Sequence, residues 1–225
     1  MGIRGFSRAA ENAHRRAKIL FSFKKQQGAS FALTRTAEWQ DQQKTLNNVK
    51  LEYLTQIDEQ TKEFIELNRR NEFTKRRALE LNWILKYPWC LEAPLDEIAH
   101  AKYYFSLVSK QFFNLCIKVF DEKNEMIGCM ILLIYDKTLS VPYVYYKPDK
   151  GKLMQTVICG HLAVLDIDIF QTYNYELIQY FKEIKFPYSY EEEISRRTLI
   201  SKKFEGIKID NDFLQDGDGD CAFWV

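Results

Sequence analysis

Ten consecutive residues, Met126 to Tyr135, are apolar or glycine, and this run constrains the fold more than any other stretch. A membrane-spanning helix needs about 20 such residues, so the run is too short to cross a bilayer. A sheet with one wet face would alternate apolar and polar side chains, and this run does not. It reads as a central strand covered on both sides. Its neighbours do alternate. Phe113, Leu115, Ile117 and Val119 share one face before it, and Leu139 to Lys147 repeats the pattern after it. Asp121 to Glu125 and Asp136 to Thr138 are short polar turns, so the three strands are antiparallel neighbours. Pro142 falls inside the third. It has no N–H for the ladder, so that strand is expected to bulge or splay there.

Around these strands the period is helical. Asp58 to Lys86 reads as two helices broken near Asn71 to Thr74, with Asp58 and Thr74 as N-caps and Pro88 as the stop. Val49 to Leu54 is a short strand before them, and Leu95 to Val108 holds a further short helix. After the loop Lys147 to Lys152, the spacing of Leu153, Met154, Val157, Ile158, Leu162 and Leu165 marks a helix. Asp166 to Thr172 is then a strand, Tyr175 to Ile184 a helix, Arg197 to Phe204 a strand and Cys221 to Val225 a weak final one. Glu191 to Glu193 reads as a solvated loop or helix start. At the N-terminal end, Ile3, Phe6, Ala10, Ala13, Ala17 and Leu20 recur at helical steps, so residues 3–27 are expected to form a basic amphipathic helix that docks its apolar stripe. Its seven Lys or Arg against Glu11 alone also suit an anionic membrane surface or a targeting sequence. Residues 29–48 are polar, Gln-rich and aperiodic, as a linker would be. The division expected is 1–48, helix and linker, and 49–225, one α+β domain with a mixed sheet flanked by helices.

Composition excludes whole classes. The chain has 225 residues, 46% of them hydrophobic and 28% charged, with 9 Gly and 5 Pro. That is a core-forming composition, not a collagen-like or disordered one. The net charge of +1 argues against a general nucleic-acid coat, and DNA is not an expected partner. Five cysteines without a CxxC pair indicate a reduced, cytoplasmic compartment. His14, His100 and His161 lie in no zinc-type spacing, and no metal is expected. His161, on the apolar side of its helix, reads as a core histidine with a hydrogen-bonded ring. Asp216, Asp218 and Asp220 alternate with glycine as a calcium loop would open, but Cys221 stands where glycine is needed, so a turn is the preferred reading. Arg69–Arg70 and Arg76–Arg77 read as solvated helix faces, and Tyr143, Tyr145 and Tyr146 as sheet packing.

The succession strand, helices, three antiparallel strands, helix, strand, helix, strand, strand resembles the GNAT fold of acyl-CoA N-acyltransferases, over residues 49–225. The most specific stretch is NYELIQYFKEIKF, residues 174–186. GNAT enzymes follow their fifth strand with an Asn, a small or apolar residue three later, an aromatic–Tyr pair and a Gly-Phe. Asn174, Leu177, Tyr180–Phe181 and Phe186 match. Two positions depart: Phe181 stands at the usual Tyr and Lys185 at the usual Gly. In the family that Tyr often protonates the departing CoA thiolate, which Phe181 cannot do. Tyr180 is the remaining catalytic candidate, although one helical residue turns it about 100° away.

The resemblance implies a donor site along SVPYVYYKPDKGK, residues 140–152. Val141, Tyr143, Val144 and Tyr145 of the splayed strand would flank the pantetheine arm of acetyl-CoA or another acyl-CoA. Lys147, Gly151 and Lys152 would cradle its phosphates at a helix N-terminus, with Asn174 completing the site. The usual Gln/Arg-x-x-Gly-x-Gly/Ala spacing is absent. The implied reaction moves an acyl group to a small-molecule or peptide amine, through positioning and backbone dipoles. The departures at 181 and in the loop favour another reading, a non-catalytic GNAT-like module that binds a partner, a second GNAT-like half or its own copy. A further resemblance, to Fem-type aminoacyltransferases and related bacterial tandem-GNAT proteins, rests partly on the ending LQDGDGDCAF, residues 214–223. It implies transfer from aminoacyl-tRNA. The basic pairs at 69–70, 76–77 and 196–197 are too common a feature to establish that.

Overall fold

In the computed structural model the apolar run is a strand inside a seven-stranded mixed sheet. The structure describes residues 18–25, 46–72, 74–88, 90–92, 107–165, 167–184, 188–196 and 215–218. Among them the elements are β1 (Lys18–Lys25), β2 (Lys50–Leu54), α1 (Glu59–Asn68), α2 (Ala78–Lys86), β3 (Cys90–Glu92), β4 (Leu107–Ser109), β5 (Phe112–Phe120), β6 (Met126–Tyr135), β7 (Thr138–Tyr146), α3 (Gly151–Val164), β8 (Ile169–Thr172), α4 (Tyr175–Glu183) and β9 (Tyr188–Arg196). The sheet runs β2-β5-β6-β7-β8-β1-β9, while β3 and β4 form a small parallel pair. The architecture is α+β, with β7 and β8 parallel and every other neighbouring pair in the large sheet antiparallel.

Alternation in β5 to β7 builds two cores, one on each face of the sheet. On one face Met154, Val157 and Ile158 of α3, with Leu177 and Phe181 of α4, meet Ile117, Val119, Met130, Leu132 and Val141. On the other, Phe64 and Ile65 of α1 and Leu81 of α2 meet Cys116, Cys129, Ile131, Tyr143 and Tyr145. This double cover is why β6 carries no polar side chain along its length. Its turns are tight. Asp136 takes φ 50 between β6 and β7, and its carboxylate accepts from the backbone N–H of Lys110 and Gln111.

Lys118 is the exception inside the second core. Period two sends its side chain inward from β5, where it is 2% exposed. An unpaired ammonium there would be untenable. Asp58, the N-cap of α1, meets it at 2.5 Å, and Gln60 accepts from it at 2.9 Å. The same Asp58 carboxylate accepts from the Thr61 backbone N–H at 2.9 Å, so one side chain both starts α1 and anchors it to the sheet. Burial alone would raise the Asp58 pKa, but the hydrogen bonds from Lys118 and Thr61 outweigh it and hold the group at about 2.

Several expectations need correction. Lys18–Lys25 is a strand, not part of a helix; the remainder of the expected helix lies outside the described residues. In KILFSFKK the residues Ile19, Phe21 and Phe23 repeat with period two, whereas the helical stripe leaned on alanines that favour any element weakly. β1 lies between β8 and β9, so the sheet draws on both sides of the boundary expected at residue 48. Arg77, not Thr74, is the N-cap of α2, its N–H bonded to the Glu80 carboxylate at 2.8 Å. Leu107 and Val108 belong to a strand rather than the end of a helix. Glu191 to Glu193 fall within β9, paired with β1, and are neither loop nor helix start. The expected elements at 197–204 and 221–225, and residues 29–45 of the linker expected at 29–48, lie outside the described residues.

Asp58→Ala is expected to cost about 3 kcal/mol, more than a lost cap, because it leaves buried Lys118 with Glu52, at 4.0 Å, in place of its close carboxylate partner. The double variant Asp58→Ala/Lys118→Met should recover most of that loss in a urea-unfolding cycle. The Asp58 contribution is fully present above its ordinary value of 3.8 and is lost as pH falls toward about 2. Asp58→Asn should therefore flatten the acid limb of stability across that window and lower stability near neutral pH, where the Asp58 contribution is fully present.

Candidate functional site

The site begins with a backbone irregularity. Ile131 pairs with Tyr143 and Leu133 with Ser140, so Leu132 alone lies opposite both Val141 and Pro142. That is a β-bulge, and the proline without an N–H sits in it. Val141 and Val144 consequently face the α3 side, while Tyr143 and Tyr145 face α1 and α2. On its other edge β7 pairs with β8 only through Thr138, Leu139 and Ser140. Beyond the bulge the two parallel strands part, leaving the C=O of Pro142 and the N–H and C=O of Val144 directed into a groove.

That groove holds residues of the same chain. Gln215 lays its carboxamide along Val144: its oxygen accepts from the Val144 N–H at 3.3 Å and its nitrogen donates to the Val144 C=O at 3.1 Å. The Gly217 N–H donates to the Pro142 C=O at 2.8 Å, and the Tyr143 hydroxyl donates to the Gly217 C=O at 2.8 Å. Across the gap, Asp216 accepts from the Thr172 hydroxyl and the Tyr173 N–H, each at 2.9 Å. The four residues thus bridge β7 and β8 where the strands do not bridge themselves. Gln215, Asp216 and Asp218 are all buried.

The connection between α1 and α2 closes the groove from one side. Gln215 also donates to Glu72 at 2.9 Å, and Arg76 donates to Asp218 at 3.1 Å. Arg69 pairs with Glu72 and, at 3.1 Å, with Glu66, and its guanidinium stands 5.7 Å from the Tyr145 ring. Burial raises the Glu72 pKa, against the hydrogen bond from Gln215 and the charge of Arg69. Burial likewise pushes the Tyr143 and Tyr145 phenols up, so both are protonated donors at any ordinary pH. The Tyr145 hydroxyl has no hydrogen-bond partner among the described residues. At the far end of β7, Arg70 donates to the Tyr146 hydroxyl at 2.7 Å and to Glu176 at 2.5 Å, and Tyr146 donates to Glu176 at 2.5 Å. Burial opposes the charge on Glu176, yet Arg70 and Tyr146 hold its pKa below the usual value. Arg69, Arg70 and Arg76 are therefore paired with buried or half-buried carboxylates rather than solvated; Arg77 is exposed as expected.

The structure gathers the sequence-derived candidates only in part. Val141, Tyr143, Val144 and Tyr145 bury their side chains in the two cores, and β7 meets the segment in the groove through backbone groups of Pro142 and Val144 and the Tyr143 hydroxyl. Asn174 is the N-cap of α4, accepting from the Leu177 N–H at 3.1 Å; its buried Nδ2 has no partner among the described residues. Gly151 opens α3 beneath the Tyr180 ring, where a Cβ would lie 2.4 Å from Tyr180 Cε2. Lys152 pairs with Glu183 at 2.9 Å and Lys147 pairs with Glu125, so both lysines already have carboxylate partners. Phe181 lies in the core with its ring 4.5 Å from Phe170, and Tyr180 is only half-buried over α3. His161 donates or accepts at both nitrogens, with Tyr53 at 3.0 Å and the Val157 C=O at 2.8 Å, and burial lowers its pKa. Among the described residues no three His, Cys, Asp or Glu side chains gather as a metal site requires, and Asp216 and Asp218 are spent on the groove. The sequence did not mark Glu72 or Gln215 as site residues, and it weighed Arg69 and Asp216 only for other roles. The one signal was the Asp-Gly-Asp alternation, which marks a turn but not its seat.

No protein-family model matches this sequence, and no curated protein is significantly similar to it. Among solved structures the chain is similar to a point mutant of the spermidine N-acetyltransferase from Vibrio cholerae, at 13% identity and a TM-score of 0.35, covering 62% of this chain and 80% of that one. No helix among the described residues is long and apolar enough to cross a membrane.

In Phe181→Tyr the added hydroxyl would enter the core against Phe170. The variant is expected to lose about 1–3 kcal/mol in denaturant unfolding. Unchanged stability would mean that the ring edge reaches a polar partner.

Proposed function

We propose that this chain is a GNAT-like N-acyltransferase whose donor groove lies between β7 and β8 beyond the bulge. The observation that carries the reading is the pair of unzipped backbone groups on Val144, already engaged by an amide. The pantetheine arm of an acyl-CoA is a chain of amides, and the N–H and C=O of Val144, with the Pro142 C=O and the Tyr173 N–H, are the partners such an arm needs. The residues fit the arm only when Gln215–Asp218 are out of the groove. Beyond it, the first turn of α3 offers backbone N–H groups to the phosphates. The exposed Lys152–Glu183 pair is worth little in water, so Lys152 can exchange its partner for a phosphate.

Bound there, acyl-CoA supplies an electrophilic thioester carbonyl. The chain supplies position: fixed backbone dipoles, a strand held open by a bulge, and walls formed by two cores. A neutral amine is the acceptor class. Glu72 reaches the groove through the Gln215 carboxamide and is tied to Arg69, so water takes the amine proton. A second reading, a non-catalytic module, is favoured by one observation: Phe181 stands in the core, without a phenol to protonate a leaving thiolate.

Saturable binding of acetyl-CoA by calorimetry, with amine-dependent release of free CoA thiol, is the expected result. The amines to offer are polyamines, amino acids and peptide N-termini in parallel. No binding at millimolar acetyl-CoA, in the wild-type chain and in a folded Gly217→Val chain, would overturn the donor assignment and leave the module reading. Binding without thiol release from any amine would favour that second reading as well.

A further inference from the structure

We infer that Gln215–Asp218 is a built-in competitor of the acyl donor, a latch that must leave the groove before a donor enters; this rests on the reading of the groove proposed above. The Gln215 carboxamide offers Val144 the same oxygen and nitrogen that a pantetheine amide would. Val144 has one N–H, so both cannot be satisfied together. Asp216 takes the Thr172 hydroxyl and the Tyr173 N–H on the opposite wall, and Gly217 takes the Pro142 C=O. Every described polar group that recommends the groove for a donor is therefore held by these four residues.

Gly217 is the seat of the latch. A Cβ at 217 would lie 2.5 Å from Cε2 and Cζ of Tyr143 and 2.7 Å from its hydroxyl. Tyr143 is 1% exposed, packed in the α1–α2 core, and has no room to withdraw. A larger residue at 217 must lift the segment off while leaving the groove lining intact. The latch is also fastened outside the groove, by Glu72 to Gln215 and by Arg76 to Asp218. These partners lie on the α1–α2 connection, so movement of that connection and release of the latch are coupled. Donor affinity is then reduced by the fraction of molecules that are open.

The test is donor binding to the full-length chain, wild type against Gly217→Val and Gln215→Ala, each checked for native circular dichroism. Acetyl-CoA affinity is expected to rise tenfold or more in both variants. Equal affinity in all three would overturn the latch while leaving the donor groove standing. No binding by any folded chain would overturn the latch as a donor competitor together with the donor reading. A measurement on the wild type needs no variant to fold: native-state hydrogen exchange of the Val144 and Gly217 amides. Exchange at least a hundredfold faster than that of Met130 in β6 supports a segment that opens by itself. Exchange at the Met130 rate would make the segment a permanent strut and overturn the inference.

Discussion

A proline in a strand has no N–H to give, and at Pro142 this deficit is turned into a geometry. The extra residue of the bulge shifts the facing of β7 by one, so that Val141 and Val144 line one core while Tyr143 and Tyr145 line the other. It also ends the pairing with β8 at Ser140. Backbone groups freed in this way cannot stay buried and unpaired, because each would cost about what a lost hydrogen bond costs. Something amide-like has to lie beside Val144. The occupant in the structure is Gln215, and the need for one explains why a four-residue turn carries so many hydrogen bonds.

The charges around the groove follow from the same accounting. Bringing Asp216 and Asp218 under the surface requires compensation, and the two carboxylates are met differently. Asp216 is met by a hydroxyl and a backbone N–H, Asp218 by the Arg76 guanidinium. Glu72, buried beside them, is matched by Arg69. The α1–α2 connection thus presents Glu72 and Arg76 to a segment far along the chain. Buried pairs of this kind seldom add much net stability compared with apolar packing, but removing one member is costly. They fix where the segment sits more than they strengthen the fold.

Much of this was legible in residue patterns. Met126 to Tyr135, the alternation of Phe113 to Val119, and the helical spacing from Met154 to Leu162 are strong local signals that agree with burial, and the strands and helix formed where they pointed. Pro142 announced the bulge. The N-terminal strand was missed because Ala10, Ala13 and Ala17 imitate a helical stripe, while the period-two signal in KILFSFKK spans eight residues and depends on neighbours β8 and β9 that no local window contains. The arginines were read as solvated because local spacing cannot reveal a carboxylate 106 or 142 residues away, as for Arg70 with Glu176 and Arg76 with Asp218. The site was legible as a splay but not as an occupied one: Asp-Gly-Asp specifies a turn, and nothing in those three letters says what the turn leans on.

The two misreadings are linked by topology. The sequence pattern assigned the strands beyond α4 to the later part of the chain, as in the fold that the order resembles. Instead β1, from the N-terminal part, lies directly against β8, with β9 outside it. An edge of β8 has only one place for an antiparallel neighbour, and β1 fills it through Phe21–Thr172 to Lys24–Ile169. Chain that follows β9 has no vacancy there. The opened edge of β7 is where Gln215–Asp218 is found. Filling the groove from within thus accompanies strand placement at the opposite end of the chain: β1 occupies the free edge of β8, and Gln215–Asp218 finds its hydrogen bonds in the cleft beside Pro142.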